Sequence, residues 1–188
     1  MKRLNGFGKI ALVVAAVMIV GVGASEVVWA KTAKEINDNV NACLGRFYKQ
    51  VPGGKELAAN AKGVLVMPGV IKVGLIIGGE YGDGALRIDK RTAAYYNLAS
   101  GSVGLQIGGE AKDIVILFMT DEALKQFRAS KGWEAGVDAN VALVTMGAGE
   151  RVDFTKMKDP IIGFVLDVKG LMADISLKGA KFTKINPK

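Results

Sequence analysis

The chain has 188 residues, of which 50% are hydrophobic and 23% charged, and its formal net charge is +7. This composition predicts an ordered globular protein with one domain-sized core. The sequence contains no histidine and one cysteine, Cys43, which excludes an internal disulfide, a zinc site built from several cysteines or from cysteines and histidines, and a histidine-dependent catalytic triad. Dense Lys/Arg runs are absent, so we expect no nucleic-acid partner. We also expect no metal and no other cofactor.

Residues 1–30 have the pattern of a secretory signal peptide, in which Lys2 and Arg3 precede an apolar run. Val28-Trp29-Ala30 fits a cleavage site, and Val22-Gly23-Ala24 is a second candidate. The alternative is an uncleaved membrane anchor, although the apolar run, residues 10–22, is shorter than the roughly 20 residues of a spanning helix. Cleavage removes three of the 25 cationic and one of the 18 anionic side chains, which leaves +5 on the mature domain, residues 31–188. We therefore expect an exported protein that is periplasmic or associated with the cell envelope.

A helix is predicted from Thr32 to Val51. Thr32 and Glu35 have the spacing of a capping box, and Pro52-Gly53-Gly54 ends the helix. A stripe as wide as its apolar face normally packs on a sheet, but it can also lie on a membrane surface, and both interpretations stay open. The stripe consists of Ile36, Val40, Cys43, Leu44, Phe47 and Val51. A second short helix is predicted over Lys55 to Ala61.

One apolar phrase then occurs twice, as residues 73–80 and again as residues 103–110, with one difference in eight positions. Each copy has three glycines inside a β-prone segment, which indicates bent strands or close backbone approach. The first strand is predicted to stop at Pro68-Gly69, and turns are predicted at Tyr81–Gly84 and Ser100-Gly101. Strands are predicted over Gly63–Met67, Val70–Glu80, Ala85–Asp89, Ala93–Leu98, Asp113–Met119, Asn140–Met146, Ile161–Val168, Leu171–Leu177 and Lys181–Ile185.

A further helix is predicted after Thr120, because acidic residues follow this cap and Arg128 and Lys131 lie near the end. The connections between strands are short, which favours antiparallel pairing. The predicted fold class is therefore α+β: a curled, mostly antiparallel β-sheet or barrel with glycine-bent strands, N-terminal amphipathic helices and one internal helix. A closed or nearly closed barrel is the preferred form, since strand glycines supply curvature.

The motifs do not indicate catalysis. The repeated phrase contains neither a dinucleotide-binding nor a phosphate-loop pattern. Glu80, Glu110 and Glu150 each follow a glycine and could form a pair of hydrolytic carboxylates, but solvent-facing or ion-paired strand ends are the preferred interpretation. We expect no catalytic residues and no enzymatic activity.

Several phrases, in the same order, resemble the SYLF domain family of lipid-binding proteins. They are Ala61–Pro68, Gly78–Gly84, Tyr95–Asn97, Gly104–Gly108, Gly132–Glu134 and Gly170–Ala173. The resemblance spans roughly Ala33 to Ile185. It implies binding of phosphoinositides or other anionic lipids through basic residues and an N-terminal amphipathic helix. Some yeast members bind actin, but an exported protein is not expected to meet it.

The resemblance makes the basic residues near predicted helices and turns the candidate lipid-binding residues: Lys34, Arg46, Lys49, Lys55, Lys62, Lys72, Arg87, Lys90 and Arg91. The sequence leaves open whether these cations converge on one site or form a solvated rim. The predicted function is an exported, non-enzymatic protein that binds anionic, phosphoinositide-like lipid head groups or a membrane surface. The alternative is a structural or protein-interaction module of the cell envelope.

Overall fold

Within residues 31–188, a curled β-sheet forms the centre of the described structure, and helices cover both of its faces. The computed structural model describes residues 31–73, 77–103, 111–144, 158–166 and 176–188. In this part of the chain the helices are α1 (Ala33–Gln50), α2 (Gly54–Asn60) and α3 (Asp121–Ala129). The strands are β1 (Gly63–Val73), β2 (Ile77–Ile88), β3 (Arg91–Val103), β4 (Lys112–Phe118), β5 (Trp133–Glu134), β6 (Ala142–Leu143), β7 (Ile161–Leu166) and β8 (Lys181–Ile185).

The described strands form one eight-stranded sheet in the order β5-β8-β3-β2-β1-β4-β7-β6. All pairs are antiparallel except β6 and β7, which run parallel. The sheet is curled into a half-barrel whose described edges are β5 and β6. The predicted α+β class with a curled, mostly antiparallel sheet is therefore confirmed, in its open rather than its closed form.

Helix α1 begins as the capping box predicts. The Thr32 hydroxyl accepts from the Glu35 amide at 3.3 Å, and the Glu35 carboxylate accepts from the Thr32 amide at 2.7 Å. These bonds satisfy two of the amides that a helix start leaves without partners. Because the Glu35 carboxylate accepts from Thr32, the pKa of Glu35 is lowered.

The apolar stripe of α1 packs on one face of the sheet, so the packing interpretation of this helix is confirmed. Ile36, Val40 and Phe47 are at most 1% exposed. They form one core cluster with residues of β1, β2, β4 and β7, such as Val66 and Phe164. The ring of Phe47 meets that of Phe164 edge-on, with centroids 5.0 Å apart.

A second core fills the opposite face of the sheet, which we call the α3 face. Phe127 of α3 lies among four aromatic rings, with centroid distances of 4.7 Å to Phe118, 4.8 Å to Tyr96, 5.4 Å to Trp133 and 6.5 Å to Phe182. Strand β4 is buried on both faces, as its continuous apolar run indicates. The positions of α1 and α3 on opposite faces therefore follow from a sheet that is apolar on both sides.

The predicted stop at Pro68-Gly69 is wrong, because β1 continues through it as a bulge. The register with β2 shifts between Val66 and Ile71, and Gly69 has a φ of +60°. A bulge inserts extra backbone and bends the strand without ending it. The Gly69 amide that leaves the ladder donates to the carboxylate of Asp113 at 2.9 Å.

The predicted turn at Tyr81–Gly84 is also wrong, because β2 runs straight through it. A side chain at Gly84 would collide with the carbonyl oxygen of Val66, and one at Gly82 would lie 2.8 Å from Val70. These glycines allow β1 to approach closely and do not reverse the chain. The Ser100-Gly101 turn is likewise wrong, since β3 continues to Val103.

The hairpin between β2 and β3 turns at two residues that the sequence did not single out as a turn. Ile88 pairs with Arg91, and Asp89 and Lys90 between them have φ values of +48° and +64°. Positive φ at both central positions is the geometry of a type I′ turn, which matches the twist of the flanking strands.

In the second half of the chain, β8 has the predicted bounds and β7 begins where predicted. The strand predicted over Asn140–Met146 is limited to Ala142–Leu143 in the described residues, and β5 was not predicted. Several other predictions lie outside the described residues. These are the signal peptide at residues 1–30, most of the second copy of the phrase at 104–110, Glu110, Glu150 and most of the strand at 171–177.

Candidate functional site

Four of the predicted cations lie on the helices that cover one face of the sheet. Lys34, Lys49 and Lys55 are exposed on the outer side of α1 and α2. Lys34 forms a 2.7 Å ion pair with Asp38, one turn further along α1. Such exposed pairs contribute little to stability, so Lys34 keeps much of its capacity to attract an anion.

Arg46, the fourth, has a partner on the sheet. Its Nε and a terminal nitrogen donate to one carboxylate oxygen of Asp113 at 2.7 and 2.6 Å, and the other oxygen accepts from the Gly69 amide. The Asp113 side chain is 11% exposed. The buried thiol of Cys43 lies close by, and burial together with the charge of Asp113 raises its pKa. Arg46 therefore joins α1 to β4 and to the bulge of β1.

Arg87 is half-buried between β2 and α1. It donates to the Asn41 side-chain oxygen at 2.8 Å, while its Nε is buried without a hydrogen-bond partner among the described residues. Burial lowers the pKa of this guanidinium. Asn37 continues the polar contact between α1 and the sheet, since it donates to the hydroxyl of Tyr95 at 2.8 Å and accepts from that of Thr92 at 2.6 Å. Arg87 thus belongs to a polar contact beneath α1.

Lys72 lies opposite Glu80 across the β1–β2 pair. One oxygen of Glu80 accepts from the Lys112 ammonium at 2.8 Å and the other from the Ser100 hydroxyl at 3.4 Å. The Lys112 and Glu80 side chains are only 12% and 17% exposed. Glu80 is therefore ion-paired, as the preferred interpretation predicted, but it lies within β2 and not at a strand end.

The structure does not bring the nine predicted cations into one site. Lys90 and Arg91 are exposed at the β2–β3 turn, whereas Lys72 lies beside Glu80 near the other end of β2. Eight residues of strand separate Glu80 from Ile88, which is roughly 26 Å. Lys62 precedes β1 and lies 3.8 Å from Asp121, at the start of α3. The set is spread over both faces and both ends of the sheet.

A group of cations that sequence reasoning did not select surrounds a groove of about 550 Å³ on the α3 face. Lys125 and Arg128 come from α3, and Lys184 comes from β8. The spacing of three residues between Lys125 and Arg128 could have indicated that these two cations lie together, because residues three apart lie on the same side of a helix. The approach of Lys184 depends on the pairing of β3 with β8, which no local pattern indicates.

In the described part of the chain, no three or more Cys, Asp or Glu side chains are placed so that they could hold a metal ion. None of the described helices has the length and apolar character needed to span a membrane.

The described residues thus define an α+β domain whose curled sheet is covered on both faces and whose cations lie mostly at the surface. Residues 99–186 match the family described as Ysc84, a Las17-binding protein actin regulator. This match agrees with the resemblance to the SYLF family that the motifs indicated. The match contains Lys125, Arg128 and Lys184 but none of the nine cations predicted from the sequence. None of the curated proteins matches the chain significantly.

Proposed function

We propose that this protein is exported and, without enzymatic activity, binds anionic lipid head groups or an anionic membrane surface. The observation that carries the proposal is the exposed cationic surface of a domain whose apolar helix stripe is buried. Lys49, Lys55, Lys90 and Arg91 are exposed on separate elements, and none of them is in an ion pair within the described residues. The SYLF match supports the same function, because lipid binding is what that resemblance implies.

Charge attraction of this kind has a recognisable dependence on salt. Each cation near an anionic membrane contributes about 1 kcal/mol at low ionic strength, and the attraction fades beyond the Debye length. Phosphoinositide-like head groups would strengthen it, since they carry several charges. We expect binding that increases with the anionic fraction of the membrane and falls as salt is added.

Sedimentation with vesicles tests the proposal. The protein, recovered from the envelope of an export-competent host, is mixed with vesicles of phosphatidylcholine alone or with added phosphatidylglycerol. Co-sedimentation with only the anionic vesicles, reversed by salt, is the expected result. Equal recovery in the supernatant with both vesicle types would refute it.

Mass spectrometry of the protein in the envelope and cytoplasmic fractions of the same host tests export. Removal of residues 1–30 gives a chain that begins at Lys31, whereas a retained anchor gives the full mass. A full-length chain found with the cytoplasmic fraction would contradict the proposed periplasmic or envelope location.

A structural or protein-interaction role in the envelope is a second candidate. Ile71 and Tyr81 are directly opposite across β1 and β2, and they are 45% and 42% exposed. Exposed apolar pairs of this kind occur at protein contacts. The family description names Las17 binding and actin regulation, but we do not expect an exported protein to bind actin. If Ile71→Ser abolished a chemical cross-link to an envelope protein while vesicle binding persisted, this second role would be favoured.

A further inference from the structure

A groove on the α3 face has the size of a small-molecule site. Its volume is about 550 Å³, within the range that ligand pockets occupy. One wall is α3, and the other is formed by β3 and β8. The floor is open because small side chains, Ala93 and Ala94, lie where larger ones would fill it. Ala93 is the extra residue of a bulge, since Leu86 pairs with Ala94 while Arg87 pairs with Thr92.

Strand register explains why three cations meet here. Lys184 pairs directly with Tyr96, so both side chains project from the same face of the sheet. Tyr96 is 3% exposed and packs against Phe127 of α3, which places Lys184 on the side that α3 covers. Lys125 and Arg128 also line the groove, so charges from two elements converge.

The charges in the groove are not neutralised by the protein. Ion pairs among the described residues include none of Lys125, Arg128 and Lys184. The single carboxylate in the lining, Asp121, lies 3.8 Å from the ammonium of Lys62. The groove therefore combines an apolar floor with a net positive rim, which is the complement of a phosphate attached to a small carbon skeleton.

We propose that this groove binds a phosphate ester of about the size of glycerol phosphate, with the phosphate between Lys125, Arg128 and Lys184 and the carbon skeleton over the alanines. The inference rests on the proposed function and deepens it, because a lipid head group has this chemistry. A free phosphate ester has it as well, and the experiment below separates the two sources.

Two triple variants of the full chain remove equal charge, one from the groove and the other from exposed positions outside it. The groove variant carries Lys125→Ala, Arg128→Ala and Lys184→Ala. The control variant carries Lys158→Ala, Lys178→Ala and Lys181→Ala, three exposed residues that do not line the groove. All six side chains are exposed, so both variants are expected to fold, and circular dichroism checks that they do. Because both retain residues 1–30, any contribution of that segment is the same.

Glycerol 3-phosphate is titrated into each protein, and the amide NMR shifts of Ala93, Ala129 and Lys184 report on the groove. We expect shifts at these amides in the wild type and the control variant, and a loss of affinity of about tenfold or more in the groove variant. Unchanged groove amides in the wild type would overturn the proposal. So would a loss of affinity confined to the control variant.

Vesicles containing phosphatidylglycerol then identify the source of the ester. Weaker sedimentation of the groove variant than of the control variant supports a lipid head group in the groove. If the soluble ester binds the groove but both variants sediment alike, the groove binds a free phosphate ester. If the wild type binds the ester and ignores vesicles, the proposed membrane function fails while the groove site stands.

Discussion

We expect the Gly84→Ala substitution in β2 to cause a large loss of unfolding free energy, although it adds only one methyl group. Gly84 lies at a close approach of β1 and β2. A Cβ at this position would collide with the carbonyl oxygen of Val66 and would lie 2.6 Å from the sulfur and 2.9 Å from the Cα of Met67. Ordinary contacts to a Cβ are 3.4–4 Å long. Two of the three obstructing atoms are backbone, so a change of rotamer cannot relieve the clash.

The size of the loss in unfolding free energy depends on which parts of the structure must move to relieve the clash. Overpacking that side chains can absorb costs about 1–3 kcal/mol. Here two central strands must separate against the hydrogen bonds on either side of the clash, so we expect a loss of about 3 kcal/mol or more. For a domain of this length that corresponds to a fall in Tm of roughly 6–12 °C.

Gly101→Ala is the matched control, because Gly101 lies on the adjacent strand β3 and a Cβ there meets no atom within 4 Å. Alanine restricts the unfolded chain more than glycine does, so this variant should be neutral or more stable by up to about 1 kcal/mol. Urea denaturation and thermal melts measure both changes. A Gly84→Ala protein as stable as the wild type would show that these glycines do not serve close strand approach.

Three further predictions concern the buried carboxylate, the hairpin turn and the thiol. Asp113→Ala should cost about 2–3 kcal/mol of unfolding free energy, because it leaves the Gly69 amide without an acceptor and Arg46 without its partner; a loss below about 0.5 kcal/mol in urea denaturation would contradict this. Lys90→Gly should stabilise by about 1 kcal/mol, since Lys90 has a φ of +64°, which costs a residue with a Cβ; an unchanged or lower Tm would count against the turn geometry. Burial raises the pKa of the Cys43 thiol above its ordinary 9.0. Above pH 9 the folded state therefore keeps a proton that the unfolded state releases. The contribution of this thiol to the free energy of unfolding is complete below pH 9 and declines as the pH rises above it. Cys43→Ala should therefore reduce the alkaline loss of stability, and equal slopes for both proteins would exclude the effect.

Local patterns predicted the helices well because their signals lie within a few residues. The capping box at Thr32 and the apolar stripe of α1 determine where that helix begins and which side it buries. Strand β8 was also predicted with the correct bounds, since its flanks contain turn residues. Each of these features can be read without knowing what packs against it.

Glycine caused the main errors in the predicted turns, because a local glycine pattern does not show what the glycine does in the fold. Gly82 and Gly84 have the spacing of turn residues, yet they allow the approach of Val70 and Val66 in β1, which lie 12 and 18 residues earlier in the chain. The true reversal uses Asp89 and Lys90, as the pairing of Ile88 with Arg91 and the two positive φ values show. A turn and a close strand contact both require glycine, so the sequence alone does not distinguish them.

For the same reason, the sequence alone did not identify which cations lie together in one site. Arg46 was selected as a lipid contact because it is basic and lies on an amphipathic helix, but its guanidinium is joined to Asp113, 67 residues further along the chain. Lys184 was not selected, although strand pairing brings it to the groove beside α3. Convergence of charge depends on register between distant strands, which composition does not contain.

The burial of the α1 stripe bears on how this domain could meet a membrane. Ile36, Val40 and Phe47 face the sheet, so placing them in a bilayer would uncover the core beneath and separate Arg46 from Asp113. Binding through the groove requires neither change. A ligand that binds only the native state raises its stability, whereas release of α1 would sacrifice part of it. We therefore expect anionic vesicles to raise Tm and to leave the α1 amides protected from hydrogen exchange. Loss of that protection on vesicle binding would show that the helix leaves the sheet, and would make its apolar stripe the surface in contact with lipid.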